Sequence, residues 1–507
     1  MTDDHIGGSL PVTEKQAHYG TQKEFTKGSR STCLLLDSLA PTDNWCEVAQ
    51  VTIDILPDLA LLEMFCFLIH EPRTGAWCTL VHVCRRWRRV VFGSPRRLDL
   101  RLYCGLTTPV RETLHVWSPL PISIYVRNPG KWVEDSIVAA LEHNDRISQV
   151  LLSHIPSSDF QKVLVAMQKS FPAMTRLELT LFGSDETKPV FPASFLGGAA
   201  PRLRTLILGS VPFPGLPNLL LAATHLVHLR LYHIPHSGYF SPETMVTCLS
   251  ELTRLEELDI GFQSAESCPG RKSRFPDRIL LPVLADLGFR GASRYLDDLV
   301  ARIDAPLLDK LGMTFFHDID TSQISQFIRR TPKLNEHDEA YVVFFAYQVI
   351  ITLSRSFDGD GELSLAIWHS SSDWELFSLA HVCCSSFPQT LIPSVERLYI
   401  LEDEAACLFL EDDTESSQWL ELLQPFTAVK DLYISRAFVP RIAPTLQELV
   451  GERVTEVLPA LQSLFLEGIL PSEPIQESIQ QFAAARQLTS HPVSISRWDG
   501  GTNRPVA

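Results

Sequence analysis

Four closely spaced histidines are the first residues whose chemistry has to be considered. His225, His228, His233 and His236 lie in one short stretch, and imidazole nitrogens are common ligands of zinc. His233 and His236 flank Pro235 in a predicted turn, however, and neither a cysteine nor a carboxylate joins the group. Surface histidines are therefore favoured over a metal site, and the sequence predicts neither a metal nor a cofactor.

An acidic, glycine-rich run is the second candidate site. Residues 358–361, Asp-Gly-Asp-Gly, resemble half of a calcium-binding loop, but Glu362 and Leu363 follow, and no glutamate closes the loop. A plain turn is the preferred interpretation. The chain also lacks a P-loop, a dinucleotide fingerprint, G-x-S-x-G, H-E-x-x-H and the kinase motifs. The sequence therefore predicts a protein that is not an enzyme.

Length and composition limit the remaining classes of protein. The chain has 507 residues, enough for two to four ordinary domains or one long repeat array, and 45% of them are hydrophobic. Its net charge of -16 disfavours binding to nucleic acid or to an anionic membrane. The longest nearly apolar run, Tyr341 to Leu353, is shorter than the roughly 20 residues that a membrane helix needs.

The cellular compartment is predicted from the first residues and from the cysteines. The opening MTDDHIGGSLPVTEKQ has no apolar core of the kind found in secretory signals. The eleven cysteines are scattered without CxxC spacing, which is typical of reduced thiols. We therefore expect a cytoplasmic protein, with the nucleus as an additional compartment.

A pair of apolar helices is predicted near the start of the chain. Pro57 and Asp58 are suited to a first helical turn, and the strong helix formers that follow predict a helix from Asp58 to Ile69. Every residue from Leu59 to Ile69 except Glu63 is apolar, so this helix must be covered on more than one side. A second helix is predicted from Trp77 to Val91, with four arginines on its solvated face.

The ordered pieces of this region carry a family resemblance. Leu-Pro-Asp at 56–58, Leu-Leu-Glu-Met-Phe at 61–65 and the run 80–88, LVHVCRRWR, resemble an F-box, and the run 77–102 is similar to the F-box proteins abundant in mushroom-forming fungi. Two features depart from the family: Leu59 stands where an acid is frequent, and the inter-helix loop at 70–76 is longer than usual. Without the resemblance, an ordinary buried helical hairpin would be the preferred interpretation.

The resemblance implies a partner and a set of contact residues. An F-box docks onto the Skp-type adaptor of cullin-RING ubiquitin ligases. The residues expected to bind the adaptor are Leu56, Pro57, Leu61, Leu62, Met64, Phe65, Leu80, Val83, Cys84 and Trp87.

Short x-L-x-L pieces recur through the rest of the chain. They run from Leu98/Leu100 to Leu311/Met313 and, in a second set, from Leu363/Leu365 to Val493/Ile495. Their spacing of roughly 23 to 35 residues is typical of leucine-rich repeats, in which strands and helices alternate. We therefore predict an α/β fold in which an F-box precedes an irregular, leucine-rich-repeat-like solenoid. An ordinary α/β domain with leucine-rich strands is the alternative.

The predicted domain boundaries follow from these patterns. Residues 1–50 are expected to be mostly disordered, 51–95 form the F-box, 96–496 form the solenoid, and 497–507 are a tail. Within the solenoid, the pattern is interrupted at 314–362, and an acidic insertion is predicted at 401–417.

The predicted function is that of a substrate-receptor subunit of an SCF-type ubiquitin ligase. In each x-L-x-L piece the leucines are used in packing and the interleaved residues point outward. Arginine and aromatic residues are enriched at protein interfaces, so Arg230, Tyr399, Tyr433 and Phe465 are candidate contacts for an unknown protein target. Ordinary solvated strand residues remain the alternative for each. A repeat scaffold that acts without a ligase is the rival function, and an enzyme is the third.

Overall fold

The structure is a computed structural model of the chain, and it describes sixteen stretches and positions. These are residues 53–69, 76–95, 97–104, 114, 120–126, 134–157, 160–182, 188–264, 278–316, 322–355, 361–368, 376–388, 390–403, 416–449, 451–468 and 473–499. The segment 1–50, the run 358–360, most of the predicted acidic insertion and most of the predicted tail lie outside these residues. The chain divides into two compact units, Met1–Ala60 and Leu61–Ala507.

Thirteen α-helices lie within the described residues. In chain order, α1 to α13 span Asp58–Ile69, Ala76–Val83, Arg85–Gly93, Glu134–Leu141, Gln161–Ala166, Leu216–Ala222, Pro242–Leu249, Ser293–Val300, Ser322–Arg330, Leu376–Ser386, Ser416–Leu423, Val439–Glu448 and Glu473–Leu488. The predicted bounds of the first helix are confirmed. The single helix predicted from Trp77 to Val91 is wrong, because Cys84 adopts an extended backbone conformation (φ -156°, ψ 170°) between α2 and α3.

Eighteen strands are described, and sixteen of them form one sheet. In chain order, β1 to β18 span Leu102–Cys104, Ile122–Val126, Ile147–Pro156, Arg176–Phe182, Thr205–Gly209, His228–Ile234, Glu257–Phe262, Ile279–Leu280, Asp286–Gly291, Ile303–Asp304, Lys310–Phe315, Glu339–Phe344, Gln348–Ser354, Glu362–Trp368, Arg397–Glu402, Asp431–Ile434, Ser463–Glu467 and Ser494–Trp498. The large sheet has the order β1-β2-β3-β4-β5-β6-β7-β9-β11-β14-β13-β12-β15-β16-β17-β18, and β8 pairs separately with β10. The fold is therefore mixed α/β with a large, mostly parallel sheet.

The strands repeat one register, which places their leucines in a row. Each leucine of this row pairs with the next across adjacent strands, and each is at most 1% exposed. The row consists of Leu177, Leu206, Leu229, Leu258, Leu287, Leu311 and Leu363. Burying a leucine side chain contributes about 2 kcal/mol, so this row fixes which face of the sheet is the core. Most successive helices contact one another.

A second repeated feature lies at the start of the strands. The backbone N–H that precedes one strand donates to the carbonyl at the matching position of the preceding strand. The donors Arg204, Val227, Glu256, Ala285 and Asp309 bind the carbonyls of Thr175, Arg204, Val227, Glu256 and Ala285 at 2.8–2.9 Å. These bonds satisfy backbone groups that burial would otherwise leave unpaired.

The predicted interruption at 314–362 contains regular elements. Within this segment α9 precedes β12 and β13, and β13 is antiparallel to both of its neighbours. The chain therefore reverses direction here without leaving the sheet. At Leu98 and Leu100 the predicted strand is wrong, because both side chains are buried in a turn and the first strand begins at Leu102.

Within the residues that the structure describes, no helix combines the length and the apolar character needed to cross a membrane.

Candidate interaction surfaces

One side of α1 is buried where α1, α2 and α3 come together. Leu61 and Phe65 are fully buried, and the Phe65 ring lies 4.8 Å from the Trp87 ring between centroids. The Trp77 indole is also buried and donates from Nε1 to the carbonyl of Arg101 at 2.9 Å. These apolar side chains are therefore used in packing within the chain.

Another side of α1 presents apolar side chains to solvent. Met64, Phe67 and Leu68 follow the three- and four-residue spacing that places side chains on one helix face. Phe67 is 82% exposed, Leu68 55% and Met64 41%. We call these three residues the apolar stripe. An exposed group of large apolar residues is typical of a surface that binds another protein.

The ten residues predicted to bind an adaptor fall into three groups. Leu61, Leu62, Phe65 and Leu80 are buried; Leu56 and Trp87 are half-buried; Pro57, Met64, Val83 and Cys84 are exposed. The four exposed residues are therefore the most accessible to a partner. Their contact with an adaptor remains a prediction. Phe67 and Leu68 were missed, although their spacing from Met64 was readable in the sequence.

The predicted target residues lie on the face of the sheet opposite the leucine row, which we call the strand face. Tyr399, Tyr433 and Phe465 occupy one register position on β15, β16 and β17. Their rings stack at centroid distances of 4.3 and 4.4 Å, and Tyr341 of β12 extends the stack at 4.5 Å from Tyr399. We call these four residues the aromatic ladder. The Trp498 ring meets Tyr433 edge-on at 5.5 Å.

The tyrosines of the aromatic ladder remain protonated. Burial raises the pKa of Tyr341 and of Tyr399, and the nearby carboxylate of Glu339 raises both further. The Tyr341 hydroxyl donates to that carboxylate at 3.0 Å. Tyr341 and its hydrogen bond to Glu339 are buried. Tyr399, Tyr433 and Phe465 are half-buried, and because stacking occupies the faces of the inner rings, these three residues expose ring edges rather than ring faces.

Tyr341 was missed as a member of this group, but a signal for it existed. The sequence Ala340-Tyr341-Val342 repeats the apolar-tyrosine-apolar pattern of residues 398–400 and 432–434. The expected interruption at 314–362 excluded it from the repeat alignment.

Arg230 does not lie with the other three predicted target residues. It is on β6, seven strand spacings from Tyr399 on β15, or roughly 34 Å along the sheet at about 4.8 Å per strand. Its guanidinium forms an ion pair with Glu257 of β7. The four residues therefore belong to two separate parts of the strand face.

Asp259 and Asp286 lie beside Arg230. Burial is the largest effect on both carboxyl groups and raises the pKa of each, and Glu257 raises both further. Arg290 lies over the rings of Phe316 and Trp368, at 5.3 and 5.4 Å from their centroids. This part of the strand face is charged rather than aromatic.

Small residues connect the charged and aromatic parts. In the register of Asp259, the next positions are Gly288, Gly312, Ser364 and Thr352, and Tyr341 follows. A Cβ atom added to Gly312 would have no heavy atom within 4 Å. The strand face therefore carries only small side chains in this register between Asp259 and the aromatic ladder. We call this part of the face the shallow region.

The clustered histidines do not converge on one point. His228 begins β6, His233 lies near its end with a positive φ of 51°, and His236 lies in the following 3-10 turn. In the part of the chain that the structure describes, no group of three or more His, Cys, Asp or Glu side chains is arranged to hold a metal ion.

Comparison with known proteins assigns the chain to no family. No protein-family model matches the chain, and no curated protein matches it.

Proposed function

We propose that this chain is a substrate-receptor subunit of an SCF-type ubiquitin ligase. The apolar stripe carries the proposal, because it lies within the sequence that resembles an F-box and exposes the large side chains of Met64, Phe67 and Leu68. An exposed stripe of this kind is stabilised when a partner covers it. The partner would be a Skp-type adaptor and, through it, a cullin.

The repeated strands would supply the target-binding part of such a receptor. In this proposal they form a leucine-rich-repeat-like solenoid, supported by the shared register of the buried leucines and the repeated backbone hydrogen bonds. The strand face would hold a protein target so that its lysines are concentrated near the ligase. The chain itself would perform no chemistry.

A repeat scaffold without a ligase is the competing function. In that case α1 to α3 would only cap the first strands, as end units of repeat arrays do. The burial of Leu61 and Phe65 is compatible with a cap, whereas the exposure of Phe67 is not explained by it.

Capture of a purified Skp-type adaptor separates these functions. The full chain should bind the adaptor and recruit a cullin, and a Met64→Glu/Phe67→Glu variant should bind the adaptor at least about tenfold more weakly, as for an interface hot spot. Both replaced side chains are exposed, so the variant should keep the thermal stability of the parent chain.

The matched control is Val165→Glu, at an apolar residue that is 58% exposed on α5. It should leave adaptor binding unchanged. Undiminished adaptor capture by the Met64→Glu/Phe67→Glu variant, or failure of the parent chain to bind any Skp-type adaptor, would remove the support for the ligase proposal.

A further inference from the structure

The strand face carries carboxylates that lie outside its ion pairs. Its outward positions pair Arg230 with Glu257, Lys310 with Glu362 at 3.8 Å and Arg397 with Glu339 at 3.2 Å. Three further outward carboxylates, Asp259, Asp286 and Asp431, form no salt bridge with another residue that the structure describes. Arg290, a further cation in this part of the face, lies over two aromatic rings.

These carboxylates lie at the two ends of the shallow region. Asp259 and Asp286 border Gly288 and Gly312, whereas Asp431 lies beside the aromatic ladder, paired in register with Arg397 and Ser463. The open space above Gly312 lets another chain approach closely, and negative charge at both ends favours a positively charged partner.

We propose that the strand face binds an extended segment of a partner protein that carries lysine or arginine near both of its ends. One basic end lies over Asp259 and Asp286, small or apolar residues cross Gly288 and Gly312, and the other basic end reaches the aromatic ladder and Asp431. The inference rests on the proposed function only in treating the strand face as the target-binding surface.

The distance between the two acidic ends sets the length of the segment. From β7, which carries Asp259, to β16, which carries Asp431, there are seven strand spacings, or roughly 34 Å. An extended chain covers about 3.3 Å per residue. A segment of about ten residues therefore spans the face.

Binding of synthetic peptides to the full chain tests the proposal. The probe is a fluorescently labelled peptide of about ten residues with two lysines or arginines at each end and glycine, serine and leucine between them. Fluorescence anisotropy should show saturable binding that weakens as salt is raised, because the ion pairs are partly exposed. Peptides of the same length with glutamine or glutamate at the basic positions should not bind.

Two variants test the contacts separately. Asp259→Asn/Asp286→Asn should weaken binding of the basic peptide by roughly threefold to thirtyfold, the range expected for two partly exposed ion pairs. Gly312→Leu keeps every charge and places a side chain in open space; it should weaken binding by roughly tenfold, which corresponds to 1.4 kcal/mol.

The control is Glu251→Gln/Glu421→Gln, which removes two exposed carboxylates away from the strands, after α7 and in α11. It should leave peptide binding unchanged. Equal weakening by the control, tight binding of the glutamate peptide, or binding that neither test variant changes would overturn the proposal. Adaptor capture is measured on separate residues, so failure of the ligase proposal and failure of this one are distinguishable.

Discussion

His337, which lies two residues before β12, is only 4% exposed. Burial of its ring lowers the pKa of this histidine from an ordinary value of 6.5 to about 4. Between these two values the unfolded chain binds a proton that the folded chain does not. The stability that depends on neutral His337 is therefore fully present above about pH 6.5 and is lost as the pH falls toward 4.

The first prediction concerns replacement of this side chain by phenylalanine. Urea unfolding at pH 7 and pH 4.5 should show that the parent chain loses roughly 3 kcal/mol more on acidification than His337→Phe does, because two to three pKa units correspond to that free energy. His225→Gln, at an exposed histidine, should keep the pH dependence of the parent chain. An unchanged acid sensitivity in His337→Phe would show that another group causes it.

Cys84 illustrates what the spacing of apolar residues does not reveal. The three- and four-residue steps from Trp77 to Val91 continue through it, and they predicted one helix. In the structure its Sγ accepts a hydrogen bond from the backbone N–H of Trp87 at 3.4 Å, at the start of α3. Cysteine is not among the residues preferred at the N-cap of a helix, so the sequence contained no recognisable signal that one helix ends and another begins at Cys84.

At the scale of elements, one buried arginine joins α13 to the segment that precedes β17. Arg486 is fully buried, and its guanidinium donates to the carbonyls of Val454 at 3.0 Å, Leu458 at 3.2 Å and Leu461 at 3.0 Å. These carbonyls lie in the segment that leads from the 3-10 turn Gly451–Thr455 into β17. The arginine therefore joins the last helix to the segment before that strand.

The second prediction is that Arg486→Met destabilises the chain by roughly 3 kcal/mol, because three buried carbonyl groups lose their donor. Urea unfolding measures this loss. Arg497→Met removes an exposed arginine that pairs with Asp499 at 3.0 Å, and it should change stability by less than about 1 kcal/mol. If both variants unfold at the same urea concentration, the buried hydrogen bonds do not stabilise the fold as described.

Strands were predicted well wherever leucines recurred at alternate positions. Leu206 and Leu208 of β5, for example, are buried, and Ile207 between them lies on the strand face. The strands β12 and β13 were not recognised as part of the same sheet, because their nearly continuous apolar residues fit a helix equally well. The direction of β13 depends on pairing with both neighbours, and a periodicity cannot contain that information.

The interaction surfaces were predicted in part for a similar reason. Alternation placed Tyr399, Tyr433 and Phe465 on one face, and the structure stacks them. The same rule could not reveal that Arg230 lies far along the sheet. Distance between repeats depends on strand order, which is a property of the assembled chain.

At the scale of the whole molecule, β13 joins two runs of parallel strands. The strands β1 to β7, β9 and β11 lead to it through β14, and β15 to β18 follow through β12. Ile351 of β13 is fully buried and pairs in register with Val342 on one side and Leu365 on the other. A change at Ile351 therefore acts on both neighbouring strands.

The last prediction is that Ile351→Lys weakens the sheet locally rather than uniformly. A charge at this fully buried position costs several kcal/mol, and strands in a repeat array are stabilised mainly by their neighbours. Hydrogen exchange should show that the amides of β12 and β14 lose protection while those of β5 and β6 keep it. Ile350→Lys, on the strand face at the adjacent position, should have a much smaller effect.

Equal loss of protection in all strands would instead mean that the sheet unfolds as one cooperative unit. The distinction matters for the proposed function, because the peptide-binding region crosses β13 between Gly312 and Tyr341. If β13 opens separately, its opening disrupts the strand face between Asp259 and Asp431. Peptide affinity would then fall with the local stability of β13 and not with the global stability of the chain.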